Sequence, residues 1–386
     1  MRSKFIKIVV VLWACVLVAG LQSCKKDPNP DTPTTPDTPT TSKNTELLEI
    51  IKNYTNNTVI KTYELLADKS MELLEACKTL QASPTDANVL AATQKWIEAR
   101  KYWEMSEAFL YGPAEYNSLD PRIDSWPLAK ALLDNYLNKD MSNVDAAYVR
   151  TYYGESLIGF HAIEYVIFEG GQPKDVTKIT ANELIYLVAV AEVLQGDCIR
   201  LEASWSEDIS SAKQAILDDA ELEISANFGW EMINAGSAGS RFKTPVHAVQ
   251  EIVGGCQTIA DEVGNEKIAD PYKSKNVLDV ESWYSWNSLI DFTDNIYSIQ
   301  NSYLGGMENY RTGRSLSDYV KSKNPQLDTD IRNAIQNAIT KIQAIPAPFR
   351  NQLNNAASAP AIEEAMDACN HLEQQLSLIN GIVIAE

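Results

Sequence analysis

A histidine and a glutamate three residues apart are the side chains in this 386-residue chain that are best suited to chemistry. His161 and Glu164 follow Gly159 in a stretch whose apolar residues recur at helical spacing, so both occupy a face where core residues are expected. On adjacent helical turns, an imidazole and a carboxylate can share a proton or a cation. Two ligands are too few for zinc, iron or copper, so a metal site needs further donors. A hydrogen-bonded pair without a metal fits the same spacing.

A second set of polar side chains lies on the preceding long helical pattern. Arg100 and Glu107 align with two tryptophans, and Glu104 stands four residues after Arg100, which suits an ion pair. Glu107 is flanked by large apolar residues and is the candidate buried carboxylate, which needs a cation or a proton. Together with His161 and Glu164 it would supply three metal ligands from two helices, as in helical-bundle metal sites.

The rest of the chain gives this pair weaker support. Gly159 in a predicted helix interior costs about 0.5–1 kcal/mol relative to alanine, which the close approach of another backbone would justify. The loop from Pro121 to Leu128 is rich in Pro, Trp, Arg and Asp and is predicted to cap the same pocket. No role in a site is predicted for the other two histidines, because His247 lies just after a helix N-cap and His371 is expected at the surface.

A zinc peptidase is a further interpretation of the pair. The H-E-x-x-H pattern is absent, and the inverted H-x-x-E-H pattern fails because Tyr165 stands where its second histidine is required. Such an enzyme would have to recruit His247 or His371 from elsewhere. The sequence therefore leaves enzymatic activity undecided and names no catalytic residue.

Helical periodicity dominates the elements that must position these residues, and strand-like alternation is nearly absent. Capping signals mark helix starts at Thr180 and at Thr244-Pro245. Further helices are predicted over 89–110, 145–168, 279–303, 326–345 and 359–379. The expected fold is all-α, with two antiparallel helical bundles and a site at their interface. The similar endings 106–112 and 301–305 suggest an internal duplication.

The N-terminal segment is predicted to be a targeting signal outside the fold. A short basic region and a 13-residue apolar run precede Leu21-Gln22-Ser23-Cys24, a pattern typical of a bacterial lipoprotein signal peptide. Cys24 would carry the lipid and attach the protein to the membrane. The predicted domains are a signal peptide (1–23), a Pro/Thr-rich tether (24–43), an N-terminal bundle (44–235) and a C-terminal bundle (236–386).

The composition of the chain excludes several classes of protein. Hydrophobic residues make up 45% of the chain, which excludes wholesale disorder, and the formal net charge of −19 excludes sequence-independent nucleic-acid binding. No apolar run beyond the signal segment is long enough for a transmembrane helix. The four cysteines within helical patterns allow three disulfide pairings but are expected to be small buried hydrophobic residues; they are Cys77, Cys198, Cys256 and Cys369.

Three motifs resemble those of the imelysin-like family of bacterial envelope proteins, including its iron-regulated members, and they follow one another along the chain in the order that the family shows. The family signature G-x-H-x-x-E is matched by 159–164, its aromatic Glu-Ala-Phe helix by 103–112, and its I-x-x-W-P-L segment by 123–128. The resemblance implies an all-helical fold of two bundle domains. It supports His161 and Glu164 as site residues.

The same resemblance extends to further residues and to function. It points to Glu107, Arg100 and Asp124 at the site. Glu104, Trp126 and Gly159 are predicted, from their positions in the sequence, to bind the ligand or to support the residues that do. The family is associated with iron acquisition, and some members were described as metallopeptidases. It implies a lipid-anchored protein of the cell envelope, at the outer membrane, that binds iron or zinc or a small metal-containing ligand. An organic-ligand pocket without metal stays open, as does the partner uptake system. The Ala129-Lys130 that follows W-P-L departs from the acidic residues of iron-linked members.

Overall fold

Helices form nearly all of the regular structure in the part of the chain that is described. The computed structural model describes residues 39–224 and 227–384, with side chains from residue 43 onward. The α-helices are α1 Pro39–Tyr54, α2 Lys61–Ala82, α3 Asp86–Glu104, α4 Pro113–Tyr116, α5 Asp120–Ile123, α6 Lys130–Leu137, α7 Ala146–Tyr152, α8 Phe160–Ile167, α9 Ala181–Trp205, α10 Ser211–Asp219, α11 Phe228–Ile233, α12 Pro245–Glu262, α13 Ala269–Ser274, α14 Ser288–Leu304, α15 Leu316–Lys323, α16 Pro325–Ala344, α17 Ala359–Ser377 and α18 Ile379–Ile384. The predicted all-α fold is confirmed.

Three kinds of short element complete the structure. A two-residue antiparallel hairpin pairs β1 (Phe168–Glu169) with β2 (Gln172–Pro173). Two π-helical segments, Thr55–Ile60 and Val263–Lys267, continue α1 and α12. Several single 3₁₀ turns lie between the helices, among them Glu107–Phe109 directly after α3. Short π segments often mark functional sites, and the second segment ends at Lys267.

The long helices pack in two groups that also contact each other. In the first half of the chain α2 packs on α3 and α9, and in the second half α17 packs on α12 and α16 while α16 also packs on α14. Helices α12 and α14 both contact the 3₁₀ turn after α3, and α14 contacts α3 itself. The main apolar core is one continuous cluster that includes side chains from both halves, from Leu47 to Val383.

Capping signals in the sequence set several helix boundaries as predicted. Thr180 and Glu183 form a reciprocal capping box at the start of α9. Thr244 accepts a hydrogen bond from the backbone N–H of His247 at the start of α12, with Pro245 as the first helical residue. The helices predicted over 326–345 and 359–379 correspond to α16 and α17.

Three predicted helices are wrong in extent, and each error lies at the site. The helix predicted over 89–110 ends at Glu104, so Glu107 lies in the following 3₁₀ turn. The helix predicted over 145–168 is broken between α7 and α8, because Gly159 has a left-handed φ of 83° and is the N-cap of α8. The helix predicted over 279–303 begins only at Ser288.

The domain boundaries stay predictions. The signal peptide, Cys24 and the tether up to residue 38 lie outside the described residues, and α1 begins at Pro39, inside the predicted tether. From Pro39 onward the helices form one compact unit. The two endings that suggest duplication differ, because α14 stops at a left-handed Gly305 whereas Gly112 stands eight residues beyond the end of α3.

The cysteines occupy the buried positions that the sequence predicts. All four cysteines in the described ranges are buried and unbridged. Among the described helices, none combines the length and apolar character that crossing a membrane requires.

Candidate functional site

The histidine of the G-x-H-x-x-E motif is fully buried on α8 and is held by the glutamate one turn later. His161 Nδ1 lies 2.8 Å from Glu164 Oε2, and both side chains are 0% exposed. Because this oxygen belongs to a carboxylate, Nδ1 carries a proton and donates it. The hydrogen bond fixes the orientation of the ring and leaves Nε2 pointing away from Glu164.

The second oxygen of Glu164 binds a loop from the distant half of the chain. We call residues 280–287 the site loop. Glu164 Oε1 accepts hydrogen bonds from the backbone N–H of Tyr284 (3.1 Å) and from the N–H and hydroxyl of Ser285 (2.7 and 2.6 Å). Glu164 therefore has both oxygens occupied within the protein, which suits a residue that orients His161.

The free edge of the imidazole faces two carboxylates. His161 Nε2 lies 3.1 Å from Asp124 Oδ1 and 3.9 Å from Glu281 Oε1. It makes no hydrogen bond with acceptable angles, so a buried polar atom is left without a hydrogen-bond partner. Ligand atoms of Asp124, His161 and Glu281 all lie within 4.8 Å of one another, close enough to share one cation.

A glycine brings Asp124 to the histidine. A side chain at Gly159 would place its Cβ 2.3 Å from the carbonyl oxygen of Ile123, the residue before Asp124. The expected close approach of another backbone is therefore found, although Gly159 caps the helix and is not in its interior. Trp126, two residues beyond Asp124, packs its ring 4.6 Å from that of His161.

Arg100 on α3 ties the carboxylates of both halves together. The guanidinium is 0% exposed and contacts Glu104 (2.6 Å), Glu281 (2.7 Å) and Asp124. Trp103, one turn along α3, donates from Nε1 to the second oxygen of Asp124 at 2.7 Å. Arg100, Asp124 and Glu104 therefore lie together, and Glu281, which the sequence did not single out, lies with them.

A second cation, Lys267, approaches from the π segment after α12. Its Nζ lies 3.0 Å from Glu281 Oε2 and 3.7 Å from Glu107 Oε1. Glu107, Glu104 and Asp124 form a second group whose ligand atoms lie within 4.8 Å of one another. Glu107 is therefore not a neighbour of His161 and Glu164 as predicted, because the structure groups it with Glu104 and Asp124.

Neighbouring charges decide the protonation of the inner residues. Burial alone would lower the pKa of His161, but Asp124 raises it to about 9. Burial likewise opposes ionisation of Asp124, yet Arg100 and His161 hold its pKa well below the usual range. The pKa of Glu281 is lowered in the same way by Lys267 and Arg100. The inner site is therefore ionised at neutral pH, with two carboxylates around an imidazolium.

The carboxylates nearer the 3₁₀ turn behave in the opposite way. Burial raises the pKa of Glu104 well above its ordinary value, against the pull of Arg100. Burial also raises the pKa of Glu107, against the pull of Lys267. These two acids hold protons readily, and their carboxylates repel one another when both are ionised.

A cavity of ≈ 1030 Å³ opens beside these groups. Its lining contains ten acidic residues, including Glu107, Asp124 and Glu281, and a single basic one, Lys267. Trp126 also lines it, with an indole N–H that has no hydrogen-bond partner. Clefts lined by one sign of charge concentrate ions of the opposite sign, so this cavity favours cations.

Two residues of the site were missed from the sequence for an identifiable reason. Glu281 and Ser285 lie in a segment that we predicted to be helical. One signal points to Glu281: it begins Glu281-Ser282-Trp283, the same acid-Ser-Trp order as Asp124-Ser125-Trp126.

The remaining histidines lie away from this site. His247 is exposed next to the N-cap of α12, and His371 is exposed on α17. Neither belongs to a group of potential metal ligands among the described residues.

Comparisons with known proteins agree with the resemblance seen in the sequence. The profile of the imelysin family (peptidase M75) matches residues 59–377. Iron-regulated protein A of Synechococcus elongatus is 27% identical over 320 residues, which are 83% of this chain and 82% of that protein. A crystal structure named as an iron-regulated protein A precursor from Parabacteroides distasonis is 31% identical, with a TM-score of 0.75 over 88% of this chain and 95% of that one.

An imelysin-like protein from Psychrobacter arcticum shares the fold at 12% identity, with a TM-score of 0.59 over 88% of this chain and 94% of that one. The profile match spans most of the sequence and contains every site residue described above. The chain therefore belongs to the imelysin family.

Proposed function

We propose that this protein binds a metal cation at His161, Asp124 and Glu281, with iron as its cargo. The observation that carries the proposal is the Nε2 atom of His161. It is buried, and it faces two ionised carboxylates without an aligned hydrogen bond to either, while Glu164 holds the opposite edge of the ring. A carboxylate–histidine–metal arrangement needs this orientation. A metal cation would take the place of the proton that this nitrogen carries at neutral pH.

The chemistry of the donor set fits such a cation. One imidazole nitrogen and carboxylate oxygens suit Fe²⁺, Mn²⁺ or Zn²⁺ better than a soft metal that prefers thiolates. Glu164 orients the histidine in this arrangement, whereas Asp124 and Glu281 take the ligand positions. Glu107 and Glu104 stand beside Asp124 as a second set of oxygen donors.

The charge balance also favours a cation. Five carboxylates around the site face three cationic side chains, Arg100, Lys267 and the imidazolium of His161; the acids are Glu104, Glu107, Asp124, Glu281 and Asp291. Glu104 and Glu107 offset the excess of acids by holding protons, which a bound cation would replace. Buried carboxylates require a proton or a counter-ion, and a divalent cation supplies two charges at once.

The biological setting rests on the relatives and on the N-terminal motif. Two of the relatives carry the name iron-regulated protein A, which suggests a place in iron uptake for this chain. Cys24, outside the described residues, would anchor it by lipid to the bacterial outer membrane, with the cargo passed to an uptake partner not yet identified.

Metal titration of His161→Ala tests this function. Calorimetry with Mn²⁺, Zn²⁺ and, without oxygen, Fe²⁺ should show binding to the wild type and an affinity roughly 100-fold lower in the variant. His371→Ala, which removes an exposed histidine, is the matched control and should bind like the wild type. Equal binding by both variants would remove the proposed site.

The cavity volume supports a second candidate, a cationic organic molecule or metal complex. At ≈ 1030 Å³ the cavity is far larger than one ion requires, since a water molecule occupies about 30 Å³ of liquid. A thermal shift caused by such a molecule that survives a chelator would favour this candidate. Peptide cleavage that a chelator abolishes and metal restores would instead support a metallopeptidase.

A further inference from the structure

The ammonium group of Lys267 lies between the two groups of candidate metal ligands. Its contacts are Glu281, which belongs with Asp124 and His161, and Glu107, which belongs with Glu104 and Asp124. One lysine thus touches one carboxylate of each group. It occupies the side of these acids that lines the cavity.

Arg100, the other cation, is fixed on the opposite side. Its guanidinium is 0% exposed, contacts four carboxylates and lies 5.4 Å from the ring of Phe160 and 5.9 Å from that of Trp96. A planar guanidinium with several fixed partners is a structural cation. Lys267 differs because its charge is a point on a flexible four-carbon stem, and its side chain is 11% exposed at the cavity.

A displaced Lys267 would still find partners. Glu262 and Glu266 stand near it in the chain and line the same cavity, with Asp270 one helical turn further on. The ammonium can therefore leave Glu281 and Glu107 and remain beside carboxylates in a wetter place. No comparable exit exists for Arg100, whose partners surround it inside the protein.

We propose that Lys267 is an exchangeable internal counter-ion, which holds Glu281 and Glu107 in the empty protein and moves into the cavity when a metal cation arrives. This inference rests on the proposed function. Lys267 contacts Oε2 of Glu281, while Oε1 faces His161 and Arg100. A metal cation on this carboxylate would therefore lie within a few ångströms of the ammonium, and the two like charges repel one another strongly at that distance. The lysine prevents the acids from repelling one another before the cargo binds, and it weakens retention of the cargo afterwards.

Calorimetry on Lys267→Gln tests the exchange. With Mn²⁺ or Zn²⁺ at fixed pH and salt, the variant should bind about tenfold more tightly or better, because the competing charge is gone. Lys267→Arg keeps the charge and should show no gain in affinity over the wild type. Unchanged or weaker binding by Lys267→Gln would overturn the inference.

The chain offers a matched control in Lys213. It is also a nearly buried lysine between two carboxylates, with its Nζ 2.7 Å from both Asp68 and Glu202, and it does not line this cavity. Lys213→Gln should leave metal affinity unchanged. A similar gain in this variant would mean that net charge alone causes the effect, and the inference would fall.

A measurement on the wild type avoids dependence on a variant that folds poorly. The ¹⁵Nζ resonance of Lys267, assigned by its loss in Lys267→Arg, should move towards the shift of hydrated lysines when Zn²⁺ binds. A resonance unmoved at saturation would contradict the exchange. If wild type, Lys267→Gln and Lys267→Arg all fail to bind metal, the proposed function fails with it; if the wild type binds and Lys267→Gln does not gain, only the exchange fails.

Discussion

Two sets of carboxylates stand side by side at this site and have opposite acid strengths. Asp124 and Glu281 have pKa values lowered by Arg100, with help from His161 and Lys267. Glu104 and Glu107, whose oxygens lie within 4.8 Å of an oxygen of Asp124, have pKa values raised by burial. All four are acids largely removed from water, so residue type and burial do not explain the difference.

The placement of cations explains it. Asp124 faces Arg100 and the imidazolium, and Glu281 faces both of these and Lys267. Glu104 contacts Arg100 alone, and Glu107 contacts Lys267 alone. Two or more cations keep the inner acids ionised and ready to act as ligands, whereas a single cation does not offset the burial of the outer acids. Groups of one type pushed apart in pKa by their neighbours take different chemical tasks.

The largest expected effect comes from removing the cation that separates the two sets. Arg100→Met should lower the free energy of unfolding by about 3–5 kcal/mol, because Asp124 and Glu281 lose a buried partner. Denaturant titration measures the loss. Lys78→Met, which removes an exposed lysine beside the exposed Glu75, is the control and should cost less than about 1 kcal/mol. Equal losses would show that the inner network contributes no more than a surface pair.

A smaller effect should follow from changing the orientation of the histidine. In Glu164→Gln the amide oxygen would still accept the hydrogen bonds from the site loop, and the amide NH₂ would face Nδ1 of His161. The neutral ring would then carry its proton on Nε2, because Nδ1 would have to accept a hydrogen bond. Metal affinity should fall about 10–100-fold. Calorimetry gives the affinity, and ¹⁵N shifts of His161 report the tautomer.

Ser285→Ala is the matched comparison for that variant. It removes one donor to the same carboxylate and keeps the acid that faces Nδ1. Its loss of affinity should be about threefold or less. Similar losses in Glu164→Gln and Ser285→Ala would mean that the position of the site loop matters, and the tautomer does not.

The smallest effect concerns Asp120 on α5, a further acid that lines the cavity. Burial raises the pKa of Asp120 from 3.8 to about 6, so the unfolded chain ionises first as pH rises, and the charge costs stability above that range. Asp120→Asn should therefore stabilise the protein, with a gain that grows between about pH 4 and pH 6. At pH 8 the gain should be about 1 kcal/mol, since partial exposure screens the charge. Thermal melts at pH 3.5 and pH 8 check this; a gain at pH 3.5 of the same size would contradict it.

The sequence was most informative where a signal is local. Spacing and capping residues predicted α9, α12, α16 and α17, since a Thr–Glu box or a Thr-Pro start depends only on neighbouring residues. The pairing of His161 with Glu164 was also predicted, because three residues of helix fix it. The family motifs added Asp124 and Arg100, which spacing alone did not bring together.

What failed in the sequence analysis depends on distant contacts. Residues 279–287 have apolar spacing that resembles a helix, yet Ser282 and Trp286 take left-handed φ values of 53° and 62°. Such values are unfavourable for these residue types and persist only where surrounding contacts impose them. Glu281 was therefore missed although it is central, and Glu107 was assigned to a helix that stops three residues earlier.

The tip of the small hairpin has a consequence for how the site is built. A Cβ at Gly171 would lie 2.4 Å from the indole of Trp286, and the N–H of Gly171 donates to the carbonyl of Tyr284 at 2.9 Å. The hairpin that follows the G-x-H-x-x-E motif thus contacts the site loop, which is synthesised more than a hundred residues later. The ribosome has to synthesise nearly three quarters of the polypeptide before Glu281 can reach His161 and Asp124. The binding site of the nascent chain is therefore incomplete until late in translation.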